Sequence, residues 1–191
     1  MAEKKELRQA MMFLTQYGIS MSLAVKIYQE YGPKTYQVVQ ENPYRLADDI
    51  SGIGFKMADE IAGRIGIHTN SDYRIRSGLL YVLLQAAAEG HTCLPREMLL
   101  RRASELLHVA EEDIEVQMMN LCMDRKLILK EKNDQTMVFY SQYYYMELNT
   151  ARMLHDLNLT CRMEEEDILK KLQAVERQEK MELDEMQRRA V

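Results

Sequence analysis

Tryptophan is absent from this sequence of 191 residues, which also contains only three prolines and three cysteines. Aromatic residues make up 7% of the chain and hydrophobic residues 47%, a composition that suits helices better than a β-sandwich. No stretch approaches the roughly 20 apolar residues of a membrane span, and the N-terminal residues lack the features of a signal peptide. We therefore expect a mainly helical, cytoplasmic protein without a membrane partner.

Patterns for metal, redox or nucleotide chemistry are also missing. Cys93, Cys122 and Cys161 lie far apart and form no C-x-x-C pair, which argues against a disulfide framework and a zinc site. The four histidines show no metal-ligand spacing such as H-E-x-x-H. The G-x-x-x-x-G-K-[ST] loop that cradles nucleotide phosphates does not occur in the sequence. These residues are thus predicted to hold no catalytic site, cofactor or metal of their own.

The charge balance restricts where a nucleic acid can bind. The formal net charge is −5, and phosphate binding needs lysine and arginine. Residues 1–78 nevertheless carry ten basic and nine acidic side chains, against seven and eleven in 79–149 and eight and ten in 150–191. We therefore expect any DNA contact to lie near the front of the chain.

An internal repeat provides the strongest structural signal. One set of six residues recurs 34 positions later: Gly18, Ile19, Ser20, Ala24, Ile27 and Gly32 correspond to Gly52, Ile53, Gly54, Ala58, Ile61 and Gly66. Between the two copies lies Asn42-Pro43, where asparagine suits a helix cap and proline a first helical residue. Each unit therefore predicts a helix, a tight turn and a second helix, which is the helix-hairpin-helix pattern.

The second hairpin is the predicted DNA-binding element. Gly52 and Gly54 are expected to allow a sharp turn with positive φ, while Ile53 fills the gap between the helices. The amides that follow Gly54 then stand at a helix N terminus, where unpaired donors and the helix dipole favour a DNA phosphate. Phe55 and Lys56 complete the predicted site, and Lys56 adds a positive charge. The alternative is that Gly-x-Gly merely connects two packed helices.

The first hairpin carries weaker candidates. Ser20 stands where the second hairpin has a glycine, and its side chain restricts close approach of another backbone. Gly18 and Ser20 are therefore predicted mainly to serve the fold.

The middle of the chain predicts a winged-helix-like unit. Ser71 caps a helix that ends at Gly90, and Pro95 opens a second helix with four residues expected to face inwards: Met98, Leu99, Ala103 and Leu106. A third helix precedes a β-hairpin whose turn is Lys132-Asn133-Asp134-Gln135. The predicted fold is thus mainly α, with tandem helix-hairpin-helix motifs in 1–70, a winged-helix-like region in 71–145 and a helical linker in 146–191.

DNA contact by the winged-helix-like region is not expected. Its third helix begins Glu111-Glu112-Asp113, which repels phosphate, so a scaffolding role is favoured over a second DNA site. Lys130 and Lys132 on the hairpin form a residual basic patch, with a solvated surface as the default interpretation. Tyr143-Tyr144-Tyr145 can stack on bases or pack, and packing is favoured because consecutive residues do not share one helix face.

Several stretches together resemble the RecD/TraA family of ATP-dependent DNA helicases, in the subgroup with an extended N-terminal region. The residues that carry this resemblance are Arg8–Leu14, Tyr17–Ser20, Lys26–Tyr28, Tyr31-Gly32, Asn42–Leu46, Gly52–Ala62 and Gly90–Thr92. The resemblance implies a sequence-nonspecific, strand-guiding accessory region of a 5′-to-3′ helicase that acts in DNA repair or recombination. Single-stranded or forked DNA, contacted through its backbone, would be the partner.

The resemblance extends to the last residues of the sequence. Leu183, Gln187, Ala190 and Val191 are similar to the Q motif of the family, in which the glutamine, here Gln187, recognises adenine. We expect the motor domains, with their ATP and Mg²⁺, to follow beyond Val191 in a longer parent chain and to be a partner of this region. The alternatives are a protein-interaction module of a DNA-processing enzyme and, less favoured, an independent nuclease or glycosylase.

Overall fold

The computed structural model describes residues 2–68, 71–158 and 165–189. They fall into two units, of which the first ends at Glu147 and the second begins at Leu148. In the described ranges, no helix combines the length and the apolar character that crossing a bilayer requires. Three strands occur among many helices, so the predicted mainly helical fold with a small β-hairpin is confirmed.

Five helices form the hairpin region of the first unit. They are α1 (Ala2–Gln16), α2 (Met21–Tyr31), α3 (Thr35–Glu41), α4 (Arg45–Asp49) and α5 (Phe55–Ile65), with a single 3-10 turn at Gly32–Lys34 after α2. The repeat corresponds to the turns between α1 and α2 and between α4 and α5. Gly32 and Gly66 end the second helix of each repeat, and both have positive φ. Both predicted helix-hairpin-helix units are therefore present.

The stretch between the two hairpins is more helical than predicted. The sequence pattern does not indicate α3, whose apolar residues Val38 and Val39 are adjacent rather than spread over several turns. Asn42 Oδ1 accepts a hydrogen bond from the amide of Tyr44 at 3.2 Å in the turn before α4, but the N-cap of that helix is Tyr44. The helix nevertheless begins at Arg45, so the prediction that Pro43 is its first residue is wrong.

The winged-helix-like region contains three helices and three strands. Its elements are α6 (Asp72–Ala88), β1 (Cys93–Pro95), α7 (Arg96–Leu107), α8 (Glu111–Met123), β2 (Leu127–Lys132) and β3 (Gln135–Tyr140). The sheet is antiparallel with the order β1-β3-β2, in which Val138 pairs with Leu94 on one side and Leu129 on the other. This order places β3 at the centre and completes a compact wing.

In the winged-helix-like region, some of the sequence-based predictions are confirmed and one is wrong. Ser71 caps α6 by accepting a hydrogen bond from the amide of Arg74 at 3.3 Å. Asn133 and Asp134 both have positive φ, which gives the primed turn typical of a two-residue hairpin. Met98 was expected to face inwards, but its side chain is 41% exposed. That expectation is wrong because the buried stripe of α7 runs through Leu100 as well as Leu99 and so lies on another face.

Helix α5 contributes to two hydrophobic cores. Its Ile61 belongs to the core of the hairpin region with Leu14 and Ile27. Phe55 and Ala58, also in α5, belong instead to the core that continues through α6, α7 and α8. Burial on both sides fixes α5, and therefore the turn that precedes it, within the first unit.

The described residues after β3 are mainly helical, as predicted for this segment. It contains α9 (Ser141–Leu157), which the boundary between the units crosses, α10 (Glu165–Glu179) and α11 (Glu185–Arg189). In the second unit, Glu176 accepts hydrogen bonds from the amide of Leu183 at 2.9 Å and from Arg188 at 3.0 Å. Three residues discussed above lie outside the described ranges: Cys161, Ala190 and Val191.

Candidate nucleic-acid interface

The turn of the second hairpin combines one buried anchor with two exposed glycines. Gly52 has a φ of +103°, as the turn requires, and Ile53 is only 4% exposed between the helices. Gly54 has a φ of −106° and a ψ of 175°, which is ordinary extended backbone. The expectation of positive φ at Gly54 is therefore wrong, because the reversal of the chain is completed at Gly52.

The N terminus of α5 is open. Gly54 is its N-cap and has no side chain to accept from the first turn, and the first intrahelical hydrogen bond runs from the amide of Ala58 to the carbonyl of Gly54 at 3.1 Å. The three amides between them therefore precede the helical hydrogen-bond ladder. Apart from Gly54 itself and its two chain neighbours, no heavy atom of the described residues lies within 4 Å of the place where a Cβ on Gly54 would stand. A ligand oxygen can therefore approach these amides.

The side chains of Phe55 and Lys56 point to different roles. Phe55 is 5% exposed and stacks against Tyr44 and Tyr81, with ring centroids 6.1 and 5.2 Å away. Its aromatic ring is part of the core, so only its backbone amide faces the turn. Lys56 is exposed and lies in the first turn of α5, next to Phe55 in the chain.

A second cation near this turn was missed by sequence reasoning. Lys26 of α2 donates a hydrogen bond from Nζ to the carbonyl oxygen of Ser51 at 3.3 Å. The 34-residue repeat does not reveal it, because the position that corresponds to Lys26 in the second hairpin is Glu60. Only the packing of the first hairpin against the second brings this charge to the turn.

The turn of the first hairpin is covered by the side chain of Arg64 and capped by Ser20. Gly18 has a φ of +82°, but a Cβ there would lie 2.0 Å from Nη1 of Arg64, which covers the turn. Ser20 caps α2, and its Oγ accepts a hydrogen bond from the amide of Leu23 at 3.4 Å. The amide of Leu23, which corresponds to the open amide of Met57 in the second hairpin, is thus already hydrogen-bonded in the first.

A partly buried polar cluster holds α5 on α6. Asp59 accepts hydrogen bonds from Nε and Nη2 of Arg74 at 2.7 and 3.0 Å and from the hydroxyl of Tyr44 at 2.6 Å. Burial raises the pKa of Asp59, but the bonds from Arg74 and Tyr44 outweigh it and leave this pKa below its usual value. Arg74 also donates to the carbonyl of Leu107 at 2.7 Å, so the cluster joins α5, α6 and the end of α7.

Two surfaces of the winged-helix-like region, α8 and the wing, are poorly suited to DNA. The exposed surface of α8 carries Val116, Met119 and Met123 beside the acidic start of the helix. On the wing, Nζ of Lys130 lies 5.5 Å from the ring centroid of Tyr144, so this cation is held over an aromatic ring.

The three consecutive tyrosines divide between packing and exposure. Tyr144 packs edge-on against Phe139, and Tyr143 packs against Tyr140. Tyr145 is exposed. At least two of the three rings therefore have protein neighbours, as the packing interpretation predicts.

Gln187 takes part in a local cap in the second unit. Its side-chain oxygen accepts from the amide of Asp184 at 3.1 Å, and its amide donates to Oδ1 of Asp184 at 2.9 Å. This reciprocal pair is a capping box at the start of α11. The spacing of an aspartate three residues before a glutamine signals such a box, which the sequence analysis overlooked.

Residues 3–93 match the family model for the HHH domain of the ATP-dependent RecD2 DNA helicase. The match begins in α1, includes both hairpins and all of α6, and ends at the first residue of β1. It supports the resemblance to RecD-like helicases noted in the sequence. Over these residues, the chain is similar to the helix-hairpin-helix domain of that helicase family.

Proposed function

We propose that this chain is a sequence-nonspecific DNA-binding region that guides a strand for an ATP-dependent 5′-to-3′ helicase in DNA repair or recombination. The observation that carries the proposal is the open N terminus of α5 at Gly54, within the residues that match the RecD2 helicase domain. Backbone amides of this kind contact phosphate oxygens and position DNA without reading its sequence.

The proposed contact is expected to bind DNA weakly. One hairpin neutralises one or two phosphates, so the slope of log affinity against log salt is expected to be small, on the order of −1 to −2. Lys56 supplies one of these charges, and Lys26 is close enough to Ser51 to supply another. Binding that is weak and independent of sequence suits a region that leads DNA past a motor.

The test compares variants of the turn by fluorescence anisotropy on single-stranded and forked DNA. Gly54→Val should weaken binding at least about fivefold, because a branched side chain fills the space in front of the amides, while its extended backbone accepts valine. Lys56→Ala should reduce the salt slope by about one. Controls are Gly63→Val, on the same helix with equally open space, and Lys34→Ala, which removes a charge elsewhere.

A circular dichroism melt for each variant separates binding from folding. If a folded Gly54→Val variant binds both DNA forms as the parent chain does, the hairpin is a structural connector and the proposal is wrong.

The proposal includes a larger parent. The sequence contains no phosphate loop, so ATP and Mg²⁺ would bind to motor domains of a longer chain, with Gln187 as the adenine contact of a Q motif. The capping box at Asp184 would have to open for the Gln187 amide to reach a base.

A protein-interaction module is the second candidate, favoured by the exposed surface of α8. There, Val116, Met119 and Met123 form an apolar stripe, and the helix begins with three acidic residues. Such a surface repels DNA and suits a protein partner. Normal DNA binding by the folded Gly54→Val variant would make this the better interpretation.

A further inference from the structure

Two adjacent cavities form one groove along α6. The first, of about 360 Å³, lies between α4, α6 and the end of α8 and is lined by Arg45, Tyr73, Arg76 and Lys126. The second, of about 400 Å³, lies beside the turn of the second hairpin and reaches Gly54. Asp48 and Ser77 line both cavities, so the two are direct neighbours on the surface.

The halves of the groove differ in chemistry. The half beside Gly54 is mostly apolar, with Phe55, Leu80, Tyr81 and Leu84 in its walls. The other half brings together three cations from three separate elements: Arg45 from α4, Arg76 from α6 and Lys126 from the loop before β2. Tyr73 stands beside these cations with 51% of its surface exposed.

We propose that this groove binds a single strand of DNA, with unpaired bases against the apolar half and Tyr73, and phosphates at Arg45, Arg76 and Lys126; the proposal rests on the DNA-binding function proposed above. A duplex presents its backbone and covers the faces of its bases, so only an unpaired strand can use the apolar walls. Tyr73 provides a surface on which a base can stack, as aromatic residues do in single-strand channels.

Acidic neighbours moderate this site rather than block it. Lys126 Nζ lies 3.1 Å from Oδ2 of Asp48, Arg45 lies 3.6 Å from Asp49, and Arg76 pairs with Asp124. All six side chains are at least partly exposed, and such surface ion pairs contribute only about 0–1 kcal/mol. A phosphate can therefore replace Asp48 as the partner of Lys126 at little cost.

The succession of the two cavities along α6 suggests a path for the strand. A phosphate held by the amides after Gly54 stands at the apolar end, and the next nucleotides would follow α6 towards Arg76. The hairpin would thus fix the backbone, and the groove would select unpaired DNA.

The test measures anisotropy of the full chain with labelled oligothymidylate of about 12 nucleotides, within the roughly 4–16 that single-strand sites cover, and with a blunt duplex. Tyr73→Ala should weaken single-strand binding about fivefold or more, since one stacked base is lost. Lys126→Gln should weaken it about threefold and reduce the salt slope by about 0.7. Lys132→Gln, which removes a charge from the wing, should change neither.

Asp48→Asn is the more discriminating variant, because it should increase the affinity for single-stranded DNA. Removing this carboxylate frees Lys126 for phosphate, so single-strand binding should strengthen about two- to threefold. Simple damage to the fold cannot produce this gain. Photocrosslinking of a bromouracil-containing strand, mapped by mass spectrometry, should identify Tyr73.

The outcomes separate this proposal from the previous one. If Gly54→Val weakens binding but Tyr73, Lys126 and Asp48 variants behave like Lys132→Gln, the groove proposal is wrong and the hairpin contact stands. If the groove variants change single-strand binding while Gly54→Val does not, the hairpin contact is wrong and the groove proposal stands. A parent chain that binds neither DNA form overturns both.

Discussion

The two hairpins share a sequence pattern and a turn geometry, but they differ in how open the turn is to an approaching ligand. Ile19 and Ile53 are buried alike, and Gly18 and Gly52 both have positive φ. At the helix cap, however, Ser20 satisfies an amide of its own helix, whereas Gly54 leaves the equivalent amides open. The first hairpin thus keeps the structural residues of the repeat, while the cap formed by Ser20 and the side chain of Arg64 close its turn.

The second hairpin is also the one that is fixed to the neighbouring region. Asp59, Tyr44 and Arg74 connect α5 to α6, while the positions 34 residues before Asp59 and Tyr44 are Val25 and Ala10. The open turn is therefore held rigidly, and the closed turn has no equivalent cluster at these positions.

The largest expected effect comes from breaking this cluster. Asp59→Asn should lower the free energy of unfolding by about 2–4 kcal/mol, because Arg74 loses its carboxylate in a mostly buried site. Urea denaturation at neutral pH measures this loss. Glu60→Gln, the exposed neighbour in the same helix turn, is the matched control and should change stability by no more than about 0.5 kcal/mol.

The same cluster predicts a pH dependence. The folded-state pKa of Asp59 lies below its unfolded value of about 3.9, so its contribution is present above that pH and is lost as the pH falls through the folded pKa. The difference between the parent chain and Asp59→Asn should therefore shrink in acid. A difference that stays constant from neutral pH to below about 3 would show that the carboxylate charge is not what stabilises α5.

A smaller effect is expected from giving the second hairpin the cap of the first. In Gly54→Ser, the new hydroxyl should accept from the first turn of α5 and compete with phosphate. DNA affinity should fall about threefold, within the roughly 0.5–1.5 kcal/mol of one hydrogen bond. Gly54→Ala adds a Cβ without a hydroxyl and isolates capping from bulk. Equal affinities for the serine and alanine variants would argue against competition at the amides.

Elements with strong local signals were predictable from the sequence, and elements that depend on distant partners were not. Ser71, the pair Asn133-Asp134 and the repeated Gly-Ile pair each specify backbone geometry within a few residues, and each prediction was confirmed. Strand β1 was missed because it contains only three residues, one of them Pro95, and exists only through its pairing with β3.

The candidate site shows the same limit. The sequence identifies Gly54 and Lys56, which are close together in the chain, but Lys26 and the cations of the groove come from separate elements. Gly54 itself was given the wrong φ, since a glycine in a turn motif can be required for open space rather than for a left-handed backbone. Sequence alone does not distinguish these two needs.

The smallest effect is expected at the first hairpin, where Ser20→Gly makes its cap resemble that of the second. Glycine is nearly as good an N-cap as serine, so the unfolding free energy should fall by only a few tenths of a kcal/mol. DNA affinity should change less than about twofold, because Arg64 still covers the turn at Gly18. Anisotropy with the same single-stranded and forked DNA measures this. A gain of about threefold or more would mean that the freed amide of Leu23 reaches a phosphate despite Arg64, and the double variant with Arg64→Ala would then show whether the covering side chain or the cap keeps this hairpin closed.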